Sequence, residues 1–211
     1  MDLFRPIETN APLDETIPLD RLAGLEAIIP PELVEQVLRE EGKINSRDCH
    51  LSYSVLLWLV LAMGLFTDKP IRGVYRCSRA FRRERKPPTR SALCEGRKRL
   101  GTAVIHRLFL LVVCTLGTEE TPGCFYQGYR LMGIDGTRFN LPDTQDNARA
   151  FGRPQGGADS TSQGAFPQVG KRSLVEIGTH VELAITLRPM NRSEQAAAPR
   201  LFSHLTPEML L

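Results

Sequence analysis

Residues 129–152 read YRLMGIDGTRFNLPDTQDNARAFG. Leu131, Ile134 and the residues after Thr137 are apolar or β-prone, so the segment predicts a strand with one carboxylate, Asp135, in its middle. Strand interiors are poor in Asp, and a carboxylate withdrawn from water is costly unless it is paired or binds a cation. Two readings answer that objection. Asp135-Gly136 between apolar runs is a strong signal for a two-residue type I′ hairpin turn. Alternatively, the strand runs straight through and Asp135 projects toward a divalent cation. The residue types alone leave the two evenly matched.

Around this stretch the chain has 211 residues, enough for one large domain or two small ones. With 42% hydrophobic and 24% charged residues it has an ordinary globular composition. Its net charge of +3 is unevenly spread: residues 72–99 carry eleven Arg or Lys against Glu84 and Glu95, a local net of +9, and residues 1–48 a net of −6. A basic block beside an acidic arm suggests a surface for a polyanion. Five cysteines with no C-x-x-C pair, and no leader pattern, predict reduced thiols and a cytoplasmic protein. The longest apolar run, Val55 to Phe66, is too short to span a bilayer and reads as a buried helix.

Residues 1–30 have no sustained period and read as an arm. Pro30-Pro31 then opens a helix with Leu33, Val34, Val37 and Leu38 on one face and Gly42 past its end. Acidic residues in its last turn oppose the macrodipole, so it should depend on packing. Ser52 or Ser54 caps the apolar helix to Phe66, the centre of a bundle. Further helices are predicted over 71–81, from Thr89 or Ser91 to Leu100, and over 104–116, closed by Gly117. The pair around the basic, Pro-rich turn 82–88 could be a helix-turn-helix, with 89–100 as its second helix. Arg82, Arg83, Arg85, Lys86, Arg90, Arg97, Lys98 and Arg99 are the candidate DNA-binding residues. Arg outnumbers Lys among them, which suits phosphate contact.

A loop over 118–128 marks the domain boundary, with domains at 1–117 and 125–211. After the Asp135 strand, 153–165 reads as a loop, 166–174 and 178–187 as strands, the second with alternating Val181, Leu183 and Ile185, and 191–205 as a helix. The fold class is therefore α+β, a helical bundle followed by three strands and a helix. Other chemistry fails on spacing. Gly164 to Lys171 misses a phosphate loop by one residue, with Arg172 where Ser or Thr is required. His50, His106, His180 and His204 are scattered, without zinc spacing. His106, on an apolar helix, reads as a core residue, as do Trp58, Met63 and Phe66.

Asp135-Gly136-Thr137 is followed at set spacings by Leu141-Pro142-Asp143-Thr144, Asn147 and Phe151-Gly152, and PTRSALCEGRKRLG precedes it at 88–101. Together these resemble DDE transposases of the insertion-sequence-four family, and the resemblance favours the continuous strand over the hairpin. It implies a helical DNA-binding domain and the opening of a ribonuclease H-like domain, in which three antiparallel strands precede a helix and a parallel fourth strand. Asp135 matches the family's first catalytic and metal-binding carboxylate. Asp143 and Asp146 read as loop carboxylates, and Glu176, Glu182 and Glu194 could reach the same face. The implied reaction is strand cleavage and transfer at transposon ends with Mg2+ or Mn2+, on double-stranded DNA, in a homo-oligomer of the complete enzyme, with no membrane partner. The second Asp and the Glu are missing, and so is the fourth strand, which would leave a sheet edge open. The expectation is an inactive N-terminal fragment or decayed copy that does not hold the cations tightly, or else a non-catalytic DNA-binding remnant or inhibitor.

Overall fold

The computed structural model describes residues 25, 28–47, 49, 51–77, 88–154, 164–189 and 198–211. The chain divides between Val112 and Val113 into a helical unit and a β-rich unit, and its fold class is α+β. Most of the expected arm over 1–30, most of the turn 82–88, and Ser193 and Glu194 lie outside the described residues.

In the first unit, α1 (Pro31–Glu40) starts on Pro31 and buries Val34, Val37 and Leu38. Its awkward terminal Glu40 is answered by side chains: Gln36 Nε2 donates to it at 2.8 Å and Arg107 Nε at 2.9 Å. Ser52 caps α2 (Tyr53–Leu65) by accepting the Val55 N–H, and Leu56, Leu57, Trp58, Leu59 and Ala62 are buried around the helix. A short α3 (Ile71–Cys77) follows. Thr89 caps α4 (Arg90–Leu100) in the same way through the Ala92 N–H, and Gly101, at φ +80°, ends it in a conformation that suits glycine. A Cβ at Gly96 would stand 2.7 Å from Leu56 Cδ2, so glycine lets α2 and α4 approach closely. Helix α5 (Thr102–Val112) buries Val104 and Leu108. His106, two positions from each, is exposed rather than in the core.

α5 also stops four residues short of the expected Leu116. The Leu116 and Gly117 N–H groups donate to the Glu176 carboxylate, at 3.1 and 2.9 Å, which takes them out of any helical ladder.

The second unit has β1 (Phe125–Tyr126), β2 (Tyr129–Asn140), α6 (Gln145–Phe151), β3 (Gln168–Glu176), β4 (Val181–Pro189), α7 (Ala198–Phe202) and β5 (Met209–Leu210). β2 is antiparallel to β1 and β3, and β3 to β4. β5 runs parallel to β2, pairing Met209 with Arg130 and Leu210 with Leu131. The Arg130 N–H donates to the Glu208 carbonyl at 2.9 Å. The neighbouring Leu131 N–H donates to Cys124 and its carbonyl accepts from Ile177, so β5 occupies the edge of β2 opposite β1 and β3. The strand expected to be missing after Thr206 is thus present as a two-residue pairing, and it covers the start of the edge predicted to be open.

Helix α6 falls where a loop was expected. Its signals are local: Thr144 accepts the Asn147 N–H, Asp146 lies in the first turn, and Gly152 closes the end at φ +75°. β3 and β4 begin two or three residues later than predicted. A register shift at Leu174/Val175 breaks the alternation read in β4, so Ala184 is buried with Met132, Leu174 and Leu201, whereas Ile185 is exposed.

Candidate functional site

Asp135 lies in the middle of a continuous twelve-residue strand, opposite Ser173. Asp-Gly is therefore not a hairpin turn here. A Cβ at position 136 would stand 1.9 Å from Arg172 Nη1, so the glycine makes room for the Arg172 side chain on the neighbouring strand. Side chains alternate between faces. Met132 faces the Leu174, Ala184 and Leu201 core, and Asp135, three positions on, projects from the other face and is exposed. Register places Thr137, Lys171, Ser173 and Glu182 on that same face. Lys171 is ion-paired with Glu182. Ser173 is fully buried, and its Oγ has no hydrogen-bond partner among the described residues.

Of the glutamates expected to reach that face, Glu182 lies on it, paired with Lys171, and Glu176 does not. Glu176 pairs in register with Met132 and so belongs to the opposite face. Asp143 is tied to Arg153, and Asp146 lies 3.8 Å from Arg149 on the surface of α6. Among the described residues no three His, Cys, Asp or Glu side chains form a group able to hold a metal ion. Hard divalent cations want several oxygen ligands, and a two-cation centre needs more than one strand carboxylate. The described residues alone do not fit such a pair.

Glu176 does a different job, one that sequence spacing did not reveal. It is fully buried, and its carboxylate accepts from the Leu116 and Gly117 N–H groups, Thr179 Oγ1 and Arg130 Nη1. Arg130 also donates to the Gly117 carbonyl at 2.9 Å and stacks 4.7 Å from the Phe125 ring centroid. Burial pushes the Glu176 carboxyl up, but the hydrogen bonds from Thr179, Gly117, Leu116 and Arg130 outweigh it and hold the group below the ordinary carboxylate range. The cluster fastens residues 116–117 to the end of β3 and the start of β2. Arg130 and residues 116–117 stand 46 to 60 positions from Glu176, so no local pattern announces the cluster.

On the helical unit, α4 turns Leu93, Gly96 and Leu100 inward and leaves Arg90, Arg97, Lys98 and Arg99 exposed. Lys98 makes a surface ion pair with Glu95 at 2.8 Å. Arg99 is more constrained than the sequence suggests, because its Nη2 donates to the Leu51 carbonyl at 3.3 Å. Lys43, which the sequence reading passed over, donates to the Arg99 carbonyl at 3.0 Å. Arg82, Arg83, Arg85 and Lys86 lie outside the described residues.

No helix among the described residues is long and apolar enough to cross a membrane. The family model "Insertion element 4 transposase N-terminal" matches residues 19–110. The chain is 28% identical over 181 residues to "Transposase InsG for insertion sequence element IS4" of Escherichia coli (strain K12), covering 85% of this chain and 40% of that protein. It is 25% identical over 173 residues to InsZ of the same strain, covering 81% of this chain and 56% of that one. The chain thus spans about half the length of these curated relatives. No solved structure matches it. Residues 19–110 are thus similar to the N-terminal part of insertion-element-4 transposases, and the likeness to the two relatives reaches well into the β-rich unit.

Proposed function

We propose that this chain acts in DNA transposition, with the helical unit binding duplex DNA and the β-rich unit contributing Asp135 as one catalytic carboxylate. The observation that carries the catalytic half is topological. Asp135 sits centrally on a strand with an antiparallel neighbour on one edge and a parallel strand, reached through a helix, on the other. That arrangement fits the opening of a ribonuclease H-like domain, in which a parallel strand brings further carboxylates beside the first.

Mg2+ or Mn2+ would supply the chemistry of such a site, polarising the phosphoryl oxygen and stabilising the leaving group. Asp135 would be one oxygen ligand, with others coming from outside the described residues. What this chain contributes itself is position: the ladder to β3 fixes the backbone of Asp135, and Gly136 admits the Arg172 side chain on the opposite face. The DNA half rests on the exposed basic face of α4 and the basic count around it.

The purified chain, incubated with labelled duplex and Mg2+ or Mn2+, is expected to retard the duplex on a gel without nicking or joining it. A site lacking ligands, or displaced by about 1 Å, already loses around a hundredfold in rate. Strand transfer by the chain alone would overturn the reading that Asp135 needs further ligands. Failure to retard any duplex would overturn the DNA-binding half.

A further inference from the structure

The connector after α1 and the C-terminal turn of α4 meet at one aromatic ring. Lys43 Nζ lies 5.7 Å and Arg99 Cζ 5.6 Å from the centroid of Tyr53. Each cation is held by one backbone carbonyl, Lys43 by that of Arg99 at 3.0 Å and Arg99 by that of Leu51 at 3.3 Å. No carboxylate of the described residues forms an ion pair with either. Two like charges drawn to one ring repel each other, and an anion lodged between them removes that repulsion. Both keep donors to spare, since an ammonium has three N–H groups and a guanidinium five.

Charges of both signs stand close by in sequence, and of the acids Glu40 is paired with Arg107 and Glu95 with Lys98. Arg47, Arg97 and Lys98 are exposed close by in sequence. A Cβ at Gly101 would stand 3.9 Å from Lys43 Nζ, so α5, which starts at Thr102, opens its positive end beside Lys43. A fork and a point charge flanking an aromatic face suit a tetrahedral oxyanion. We infer that Lys43 and Arg99 clamp one backbone phosphate of duplex DNA over Tyr53. The connector after α1 is then a second element of the DNA-binding surface, distant in sequence from α4. This rests on the DNA-binding reading above and adds to it a residue and a geometry.

The test uses the 211-residue chain and a duplex of arbitrary sequence, with affinity measured against NaCl concentration. Lys43→Gln is expected to make the slope of log affinity against log salt shallower by about 0.9, the value of one phosphate contact, and to weaken binding about eightfold near 0.1 M salt. Lys43→Arg should keep the slope, as should Arg149→Gln on the exposed surface of α6. Wild-type protein that does not bind removes the DNA-binding reading and this inference together. Wild-type binding with a steep slope that Lys43→Gln leaves unchanged removes this inference alone. An amine-labelling footprint of the wild-type protein decides the matter even if that variant loses its helical circular dichroism. Bound duplex should shield Lys43 and not Lys69, and a Lys43 that labels equally with and without duplex overturns the clamp.

Discussion

Glu176→Ala should destabilise the β-rich unit by about 3–5 kcal/mol, the usual effect of removing one partner of a buried ion pair. Arg130, itself only one-fifth exposed, would be left facing apolar surroundings. The Leu116 and Gly117 N–H groups would lose the acceptor they share. The wild-type protein should show the matching pH dependence. The folded carboxyl is held below its ordinary value, and the unfolded reference is about 4.3. The stabilisation is therefore fully present above that reference and is lost as pH falls through the lower, folded value. Urea unfolding from pH 7 downward should show this acid-side loss in wild type and little of it in Glu176→Gln. A loss below about 1 kcal/mol for Glu176→Ala at pH 7, the size of a surface pair, would show that the cluster does not hold the unit together.

The second large effect concerns DNA. If about six basic side chains contact phosphate, wild-type affinity should fall roughly a thousandfold between 50 and 200 mM salt. Replacing Arg82, Arg83, Arg85, Lys86, Arg90, Arg97 and Lys98 together by Ala should leave only the shallow dependence that the Lys43–Arg99 contact supplies, with binding weakened by several orders of magnitude at the lower salt. Arg99 is kept in that variant because its bond to Leu51 also supports the packing of α4. Of the seven, Arg90, Arg97 and Lys98 lie exposed on α4, so a variant of these three alone should produce the corresponding fraction of the change in slope. Unchanged affinity in the sevenfold variant would place the DNA surface elsewhere.

The helical unit was legible because its signals are local. Ser52 and Thr89 accept the N–H groups their capping positions predict, and the apolar run from Val55 became the core of the unit. Asp135 was harder, since the same dipeptide serves a hairpin and a strand. What separates them is Arg172, whose side chain needs the space left by Gly136 and which stands 36 positions away. Helix α6 had readable caps at Thr144 and Gly152, and the many turn-forming residues around Pro142 hid them. The early end of α5, the two-residue β5 and the Glu176 cluster all depend on partners far along the chain. Periodicity does not report such pairings. His106 shows the opposite error: an apolar neighbourhood in sequence says little about a residue two positions from the buried face.

Cys124 gives the protein an internal clock. It is fully buried, and its Sγ fills the space that a Cβ at Gly117 or Gly178 would need, with approaches of 2.2 and 2.4 Å. Cys49 and Cys114 are exposed and should react with a thiol reagent as fast as a free peptide does. Cys124 can react only when the packing around Gly117 and Gly178 opens, so its slow labelling phase counts openings beside the Glu176 cluster. At tenfold per 1.4 kcal/mol, Glu176→Ala should quicken that phase by about a hundredfold or more while leaving the fast phases alone. The two glycines that admit the sulfur thus make the fastening of the β-rich unit measurable without an added probe.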